Sequence, residues 1–204
     1  MIDILAVFIT FFAVIDPIGT IPVFIAVTDQ YDAKTKRRVA LLATIVSACV
    51  LLFFVVMGEL ILNALAIPLP AFQISGGIVL FLFALTMIFG DSKPDEEIKL
   101  LENSHRQTAI FPLAVPSIAS PGAMLAAVLL TKNAVYSVWE QAQTALVMLS
   151  VLLLAYILML LAGVITKVIG SSGASVVSRV MGLILSSIAI TNILAGFTDY
   201  YNFL

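Results

Sequence analysis

Six apolar windows of about 20 residues, separated by short charged or turn-rich breaks, occupy almost the whole chain. They fall at roughly 2–27, 39–63, 68–90, 108–131, 143–166 and 176–198. Each is long enough to cross a hydrocarbon layer of about 30 Å as a helix. Charged residues make up 11% of the chain, against about 25% in a soluble domain. The expected class is therefore an all-α membrane protein forming a single transmembrane domain over 1–204. The longest gap, about 91–107, is too short for a soluble domain. The first window opens with Asp3, carries no Lys or Arg, and is too long for a signal-peptide core, so it is expected to remain in the mature chain.

The cations set an expected orientation. Lys34, Lys36, Arg37 and Arg38 fall in the break over 28–38, and Lys93, Lys99 and Arg106 in that over 91–107. Lys167 and Arg179 flank the break between the last two windows, and only Lys132 lies on the other side. The basic side is expected to be cytoplasmic, with both termini outside. Trp139, Tyr136, Tyr200 and Tyr201 would then lie at the outer interface and Tyr31 at the inner one. This topology accounts for the basic residues, and a net charge of −2 gives no reason to invoke a nucleic-acid partner.

The chain's one cysteine, Cys49, excludes an internal disulfide and dithiol redox chemistry. It reads as an inert small apolar residue. Its one histidine, His105, sits in the polar linker, and no grouping of His, Cys, Asp and Glu has metal-ligand spacing. Neither a metal nor another cofactor is expected.

The rarest residues in the windows are the informative ones. Five of the eight prolines lie in the first and fourth windows: Pro17 and Pro22, then Pro112, Pro116 and Pro121. "IDPIG" aligns with "ASPGA" at an offset of 104, and "QISGGIVLFLFALTMI" with "SRVMGLILSSIAITNI" at an offset of 105. The second pair shares Gly77 with Gly182, Leu80 with Leu185, Ala84 with Ala189, Thr86 with Thr191 and Ile88 with Ile193. Two copies of three spans each are implied, one over about 1–90 and one over about 108–204, joined by the linker 91–107. Three is odd, so the second copy enters the membrane in the opposite sense, as in several transporter folds.

Both interruptions fall near the middle of their windows. Proline within a helix deletes a hydrogen bond and crowds the carbonyl four residues earlier, costing about 3 kcal/mol. Pro17 thereby frees the carbonyl of Ala13, and Pro121 that of Ser117. Asp-Pro and Ser-Pro also read as an N-cap and first helical residue. Each window is expected to be two half-helices, the second starting at Asp16–Pro17 or at Ser120–Pro121. Such starts present amides, those of Ile18 and Gly19 and of Gly122 and Ala123, with a positive dipole end suited to an anionic group. Lipid cannot satisfy those amides, so the breaks are expected to line an enclosed or wet cavity. The alternative is a pair of proline kinks that serve packing alone.

Asp16 sharpens the point, because a carboxylate at mid-span costs on the order of 3 kcal/mol. Asp16 would neutralise its own helix end, whereas Ser120 leaves its end net positive. A zwitterion suits that asymmetry, its carboxylate toward Ser120, Gly122 and Ala123 and its ammonium toward Asp16 and the freed carbonyls. Gln73, Ser75, Thr86, Ser186, Ser187, Thr191 and Asn192 are further polar residues for the same cavity or for contacts between helices.

"DPIGTIPVF", "ISGGIVLFL", "FPLAVP" followed by "SPGAML", and "RVMGLIL" together resemble the MarC family of inner-membrane proteins over essentially the whole chain. The resemblance implies a small neutral amino acid transporter of the SnatA type, acting on glycine and alanine in the plasma membrane. The family pattern matches Asp16, Pro17, Gly19 and Pro22, and again Pro116, Pro121 and Gly122. Ser117 and Ser120 depart from it, standing where the family usually has an aliphatic residue and a glycine.

The expected function is secondary transport by alternating access, coupled to a proton or sodium ion or to neither, in either direction. A passive small-solute channel is the alternative. An intramembrane hydrolase using Ser117 or Ser120 is disfavoured, since Asp16 is the only base at that depth.

Overall fold

The computed structural model describes residues 2–89, 109–133 and 135–203; the linker expected over 91–107, with His105, lies outside them. Among the described residues eight helices follow one another: α1 (Ile4–Ile15), α2 (Thr20–Thr28), α3 (Ala33–Ala64), α4 (Leu69–Phe89), α5 (Ala109–Ile118), α6 (Pro121–Leu129), α7 (Val138–Leu160) and α8 (Ala162–Phe203). No described residue is in a strand. Four stretches of the described residues are long and apolar enough to cross a membrane: Ala33–Ala64, Leu69–Phe89, Val138–Leu160 and Arg179–Tyr201. The first and fourth windows are each split into two short helices, α1 with α2 and α5 with α6.

Two boundaries differ from expectation. The four cations placed in a loop over 28–38 are on the first two turns of α3, which starts at Ala33. Asp32 caps that start by accepting from the Lys34 N–H, and Lys and Arg are good helix formers. The second correction concerns the last connection, expected as a loop around 167–175. The chain turns instead at Leu161, whose carbonyl accepts from the N–H groups of Val164 and Ile165. From Ala162 the helix runs unbroken for 42 residues, about 63 Å at the helical rise. Gly170 and Gly173 lower its propensity by about 1 kcal/mol each, but no proline is present to stop it.

The outward faces carry large apolar side chains, among them Val56, Leu82, Leu146 and Leu194, each 58–70% exposed. Such surfaces suit lipid and would aggregate in water. The most extensive helix contact is α4 on α8, and small residues permit it. A Cβ on Gly77 would lie 3.0 Å from the Ala189 carbonyl, and one on Gly182 would lie 3.0 Å from the Ala84 carbonyl. "ISGG" and "MGLIL" are thus packing surfaces. In the interior, α3 packs on α5 and α7, and α1 on α6 and α7, which brings the two split windows together in the core.

Candidate functional site

The first break begins where α1 ends. Asp16 adopts φ 49° and ψ 65°, in the left-handed region, and its N–H donates to the Phe12 carbonyl. Pro17 disfavours the right-handed helical conformation at the residue before it, and aspartate tolerates the left-handed one better than most residues. The carboxylate folds back on its own turn. Its Oδ1 accepts from the Gly19 N–H at 2.9 Å, while the Asp16 carbonyl accepts from the Thr20 N–H at 3.1 Å and from Thr20 Oγ1 at 3.0 Å. A Cβ on Gly19 would lie 1.9 Å from Asp16 Oδ2, so this turn admits only glycine there without rearranging. The helix restart expected at Asp16–Pro17 is therefore displaced to Thr20. Asp16 closes α1, and a turn over 17–19 separates the two helices.

The second break is built from three residue–proline pairs. Phe111 (φ −131°, ψ 129°) and Val115 (φ −132°, ψ 123°) are extended within α5, each directly before a proline, as the steric rule requires. The result is a wide, irregular helix in which the Ala119 N–H reaches the Ala114 carbonyl at 2.8 Å. Ser120 (φ −69°, ψ 159°) then caps α6 with Pro121 in its first turn, as expected. Ser120 Oγ accepts from the Ala123 N–H at 3.1 Å.

Ser120 also joins the two breaks, because its hydroxyl donates to the Val14 carbonyl at 2.8 Å, across 106 residues of sequence. The carbonyl expected to be free was Ala13's; the one held from the other break is Val14's. Two of the four amides expected to await a ligand are occupied by the chain's own caps, that of Gly19 by Asp16 and that of Ala123 by Ser120. Ala13, Asp16, Ser117 and Ser120 are all at most 4% exposed, Pro17 is buried and Ile18 half-buried. Ser117 Oγ has no hydrogen-bond partner among the described residues. A residue the sequence did not single out supports the second break: Ser47 of α3 donates to the carbonyls of Ala43 (2.9 Å) and Ala114 (3.3 Å). A serine in mid-span was its only signal, and such serines usually bond just to their own helix.

Beside the joined breaks lies a cavity of about 530 Å³, within the usual range for ligand pockets. Val14 and Gly122 bring the breaks to it, and Thr10, Ser187, Thr191 and Asn192 line it further. Three of the polar residues proposed from sequence thus reach it, but of the ten residues expected to hold substrate only Gly122 does; Ala13, Asp16, Pro17, Ile18, Gly19, Ser117, Ser120, Pro121 and Ala123 are not part of its lining. Its hydroxyls donate to their own helices, Thr10 to Ala6 (2.8 Å), Ser187 to Leu183 (3.0 Å) and Thr191 to Ser187 (2.9 Å). Their lone pairs and the Asn192 amide remain for a guest. None of the described lining residues is charged, and the described residues contain no cluster of three or more potential metal ligands. The described lining thus offers a guest uncharged hydrogen-bonding groups beside the apolar Val14, Ala126, Leu129, Leu130, Ile184 and Ile188.

A family model described as "MarC family integral membrane protein" matches residues 1–201. Among similar proteins, a UPF0056 membrane protein of Methanocaldococcus jannaschii is 34% identical over 93% of each chain. One of Buchnera aphidicola subsp. Schizaphis graminum is 31% identical over 98% of this chain and 99% of its own. The UPF0056 membrane protein YvbG of Bacillus subtilis is 30% identical over 93% of this chain and 92% of its own. No solved structure matches the chain.

Proposed function

The chain belongs to the MarC family of integral membrane proteins, and we propose that it is a secondary transporter of small neutral amino acids. The observation that carries this reading is the junction of two broken helices, Ser120 on the Val14 carbonyl, beside a mainly apolar cavity whose described lining carries Thr10, Ser187, Thr191 and Asn192 and no charge. Broken helices at a repeat interface are a recurrent way to build a transporter site, because loosened backbone groups serve a substrate there without being stranded in lipid. The substrate class, glycine and alanine, is what the resemblance to SnatA-type transporters implies. Neither a catalytic base nor a cofactor is required, so the protein is not an enzyme in this reading.

The proposed architecture is six membrane crossings in two inverted repeats. The reciprocal contacts of Gly77 with Ala189 and of Gly182 with Ala84 support it. Those residues are partners at the 105-residue offset and pair antiparallel, as a two-fold axis in the membrane plane would place them. The ends of α2 and α6 agree, since Thr28 bonds back to Phe24 and Thr131 to Ala127, both at an offset of 103. Alternating access would rock one repeat against the other about the joined breaks. The proposed location is the plasma membrane, with both termini outside.

A proton or sodium ion is the proposed coupling partner, and Asp16 the candidate proton acceptor. The test is uptake of labelled glycine or alanine into liposomes holding the purified protein, with proton and sodium gradients imposed in turn. Saturable uptake and counterflow against an internal pool are expected. Absence of saturable flux in either direction rules the transporter out, and unsaturable flux without counterflow replaces it with a channel.

A further inference from the structure

Away from the breaks, at the opposite end of α7 from its start at Val138, two cavities of about 440 and 460 Å³ adjoin one another and share Ala33 and Arg37. Lys36 lines the first, and Lys34 and Arg38 the second. Tyr156 and Leu41 complete the second, while Phe24, Met159 and Leu160 wall the first. Four cations are thus concentrated within five residues at the start of a helix, the end where the dipole already disfavours them. Lys34 lies one turn from both Arg37 and Arg38, a like-charge spacing that adds repulsion. No described residue lining either cavity is a carboxylate. Asp32, the nearest acid in sequence to these cations, is engaged in capping α3. Membrane topology asks for positive charge on one face, but it does not ask for a groove beneath that charge.

We propose that this groove binds the phosphate headgroup of an anionic membrane lipid, with Arg37 reaching it from the ridge between the two cavities. Arg37 brings a planar fork that can take two phosphate oxygens at once, and Lys34, Lys36 and Arg38 add point charges. The tyrosine hydroxyl of Tyr156 is a further donor. Leu41 and Ile45 of α3 and Ile157 and Leu153 of α7, each 42–57% exposed, continue from the charged end along those two helices, where acyl chains would lie. That juxtaposition of charge with an outward apolar track favours a lipid over a free anion, and basic pockets between membrane helices are known to hold such headgroups.

Native mass spectrometry of the detergent-solubilised chain tests the site with added phosphatidylglycerol, phosphatidylcholine or inorganic phosphate. Phosphatidylglycerol is expected to be retained, phosphatidylcholine to be lost, and equimolar inorganic phosphate not to displace the anionic lipid. Lys34→Gln with Arg37→Gln is expected to weaken retention about tenfold or more. The charge-matched pair Lys132→Gln with Arg179→Gln is expected to leave it unchanged. Equal retention of both lipids, equal loss in the two double variants, or displacement by inorganic phosphate would each overturn the proposal. Raising ionic strength on the unmodified chain supplies a measurement independent of any variant. Retention must fall as salt screens the groove, and salt-insensitive retention rejects the site.

Discussion

The two breaks solve one problem in different ways. In the first, between α1 and α2, a residue in the left-handed region ends the helix and its carboxylate satisfies its own turn. In the second, between α5 and α6, extended residues before prolines widen the helix, and a neutral hydroxyl caps the next one while reaching across to the first break. The Asp16 bonds to Gly19 and Thr20 stay within the first break, whereas the second supplies the donor that joins the two. A charged cap would fit the first role; a hydroxyl, donor and acceptor at once, is what the second requires.

The sharpest way to break this comparison is at the glycines. Gly19→Ala places a methyl against the Asp16 carboxylate and should give the largest loss of stability and transport. Gly122→Ala meets the flexible end of Leu80 and should be milder. Adding Asp16→Ala to Gly19→Ala should recover part of the loss. Thermal unfolding of the three variants in detergent reads this directly, and equal effects of the two glycine changes would show that the breaks are not distinct.

Ser120→Ala should come next. It removes a cap worth about 1 kcal/mol and leaves the buried Val14 carbonyl without its donor, a further cost of about 1–3 kcal/mol. An unchanged melting temperature would mean that the bond between the breaks contributes nothing.

Asp16→Asn separates charge from geometry. The amide oxygen can still accept from Gly19, so stability should change by less than about 1 kcal/mol, while the proposed proton-coupled uptake should lose its pH dependence. Unaltered pH dependence removes Asp16 from the coupling step. Asn192→Ala, on the cavity wall, should weaken affinity for glycine as the proposed substrate about tenfold through loss of a hydrogen-bonding group, with the fold intact. Equal affinity of this variant and the parent would move the substrate elsewhere.

The smallest effect lies far from both breaks. The Thr35 hydroxyl, ahead of the Lys34 and Thr35 backbone amides, holds the Asp32 carboxyl below its ordinary 3.8. A lowered folded-state value stabilises at pH above the ordinary value and is lost as acid titrates through the folded one. The start of α3 should therefore fray slightly below about pH 4. Hydrogen exchange at Lys34 and Lys36 would detect it, and Asp32→Asn should abolish the acid dependence.

Much of this was legible in the chain itself. The apolar windows marked the membrane class and the prolines marked the breaks, because solvation and proline sterics act on a residue and its immediate neighbours. Ser120 as a cap was legible for the same reason. The restart at Thr20 was not: whether Asp16 begins a helix or ends one depends on a backbone conformation that Asp-Pro permits in two ways. The continuous α8 was missed because a break between two apolar windows, flanked by Lys167 and Arg179, reads as a loop, yet the Gly170 and Gly173 within it weaken a helix without forbidding it.

The chain alone determines a multi-pass membrane protein with helix breaks at Asp16–Pro17 and Ser120–Pro121, set by local sterics and by the cost of bare backbone in lipid. The use of those breaks is set by tertiary packing. Ser120 takes the carbonyl of Val14, Ser47 supports Ala114, and Thr10, Ser187, Thr191 and Asn192 gather around Gly122. Hydrogen bonds between residues 67 and 106 positions apart are settled by how whole helices pack, and nothing in the chain adjacent to either partner encodes that meeting.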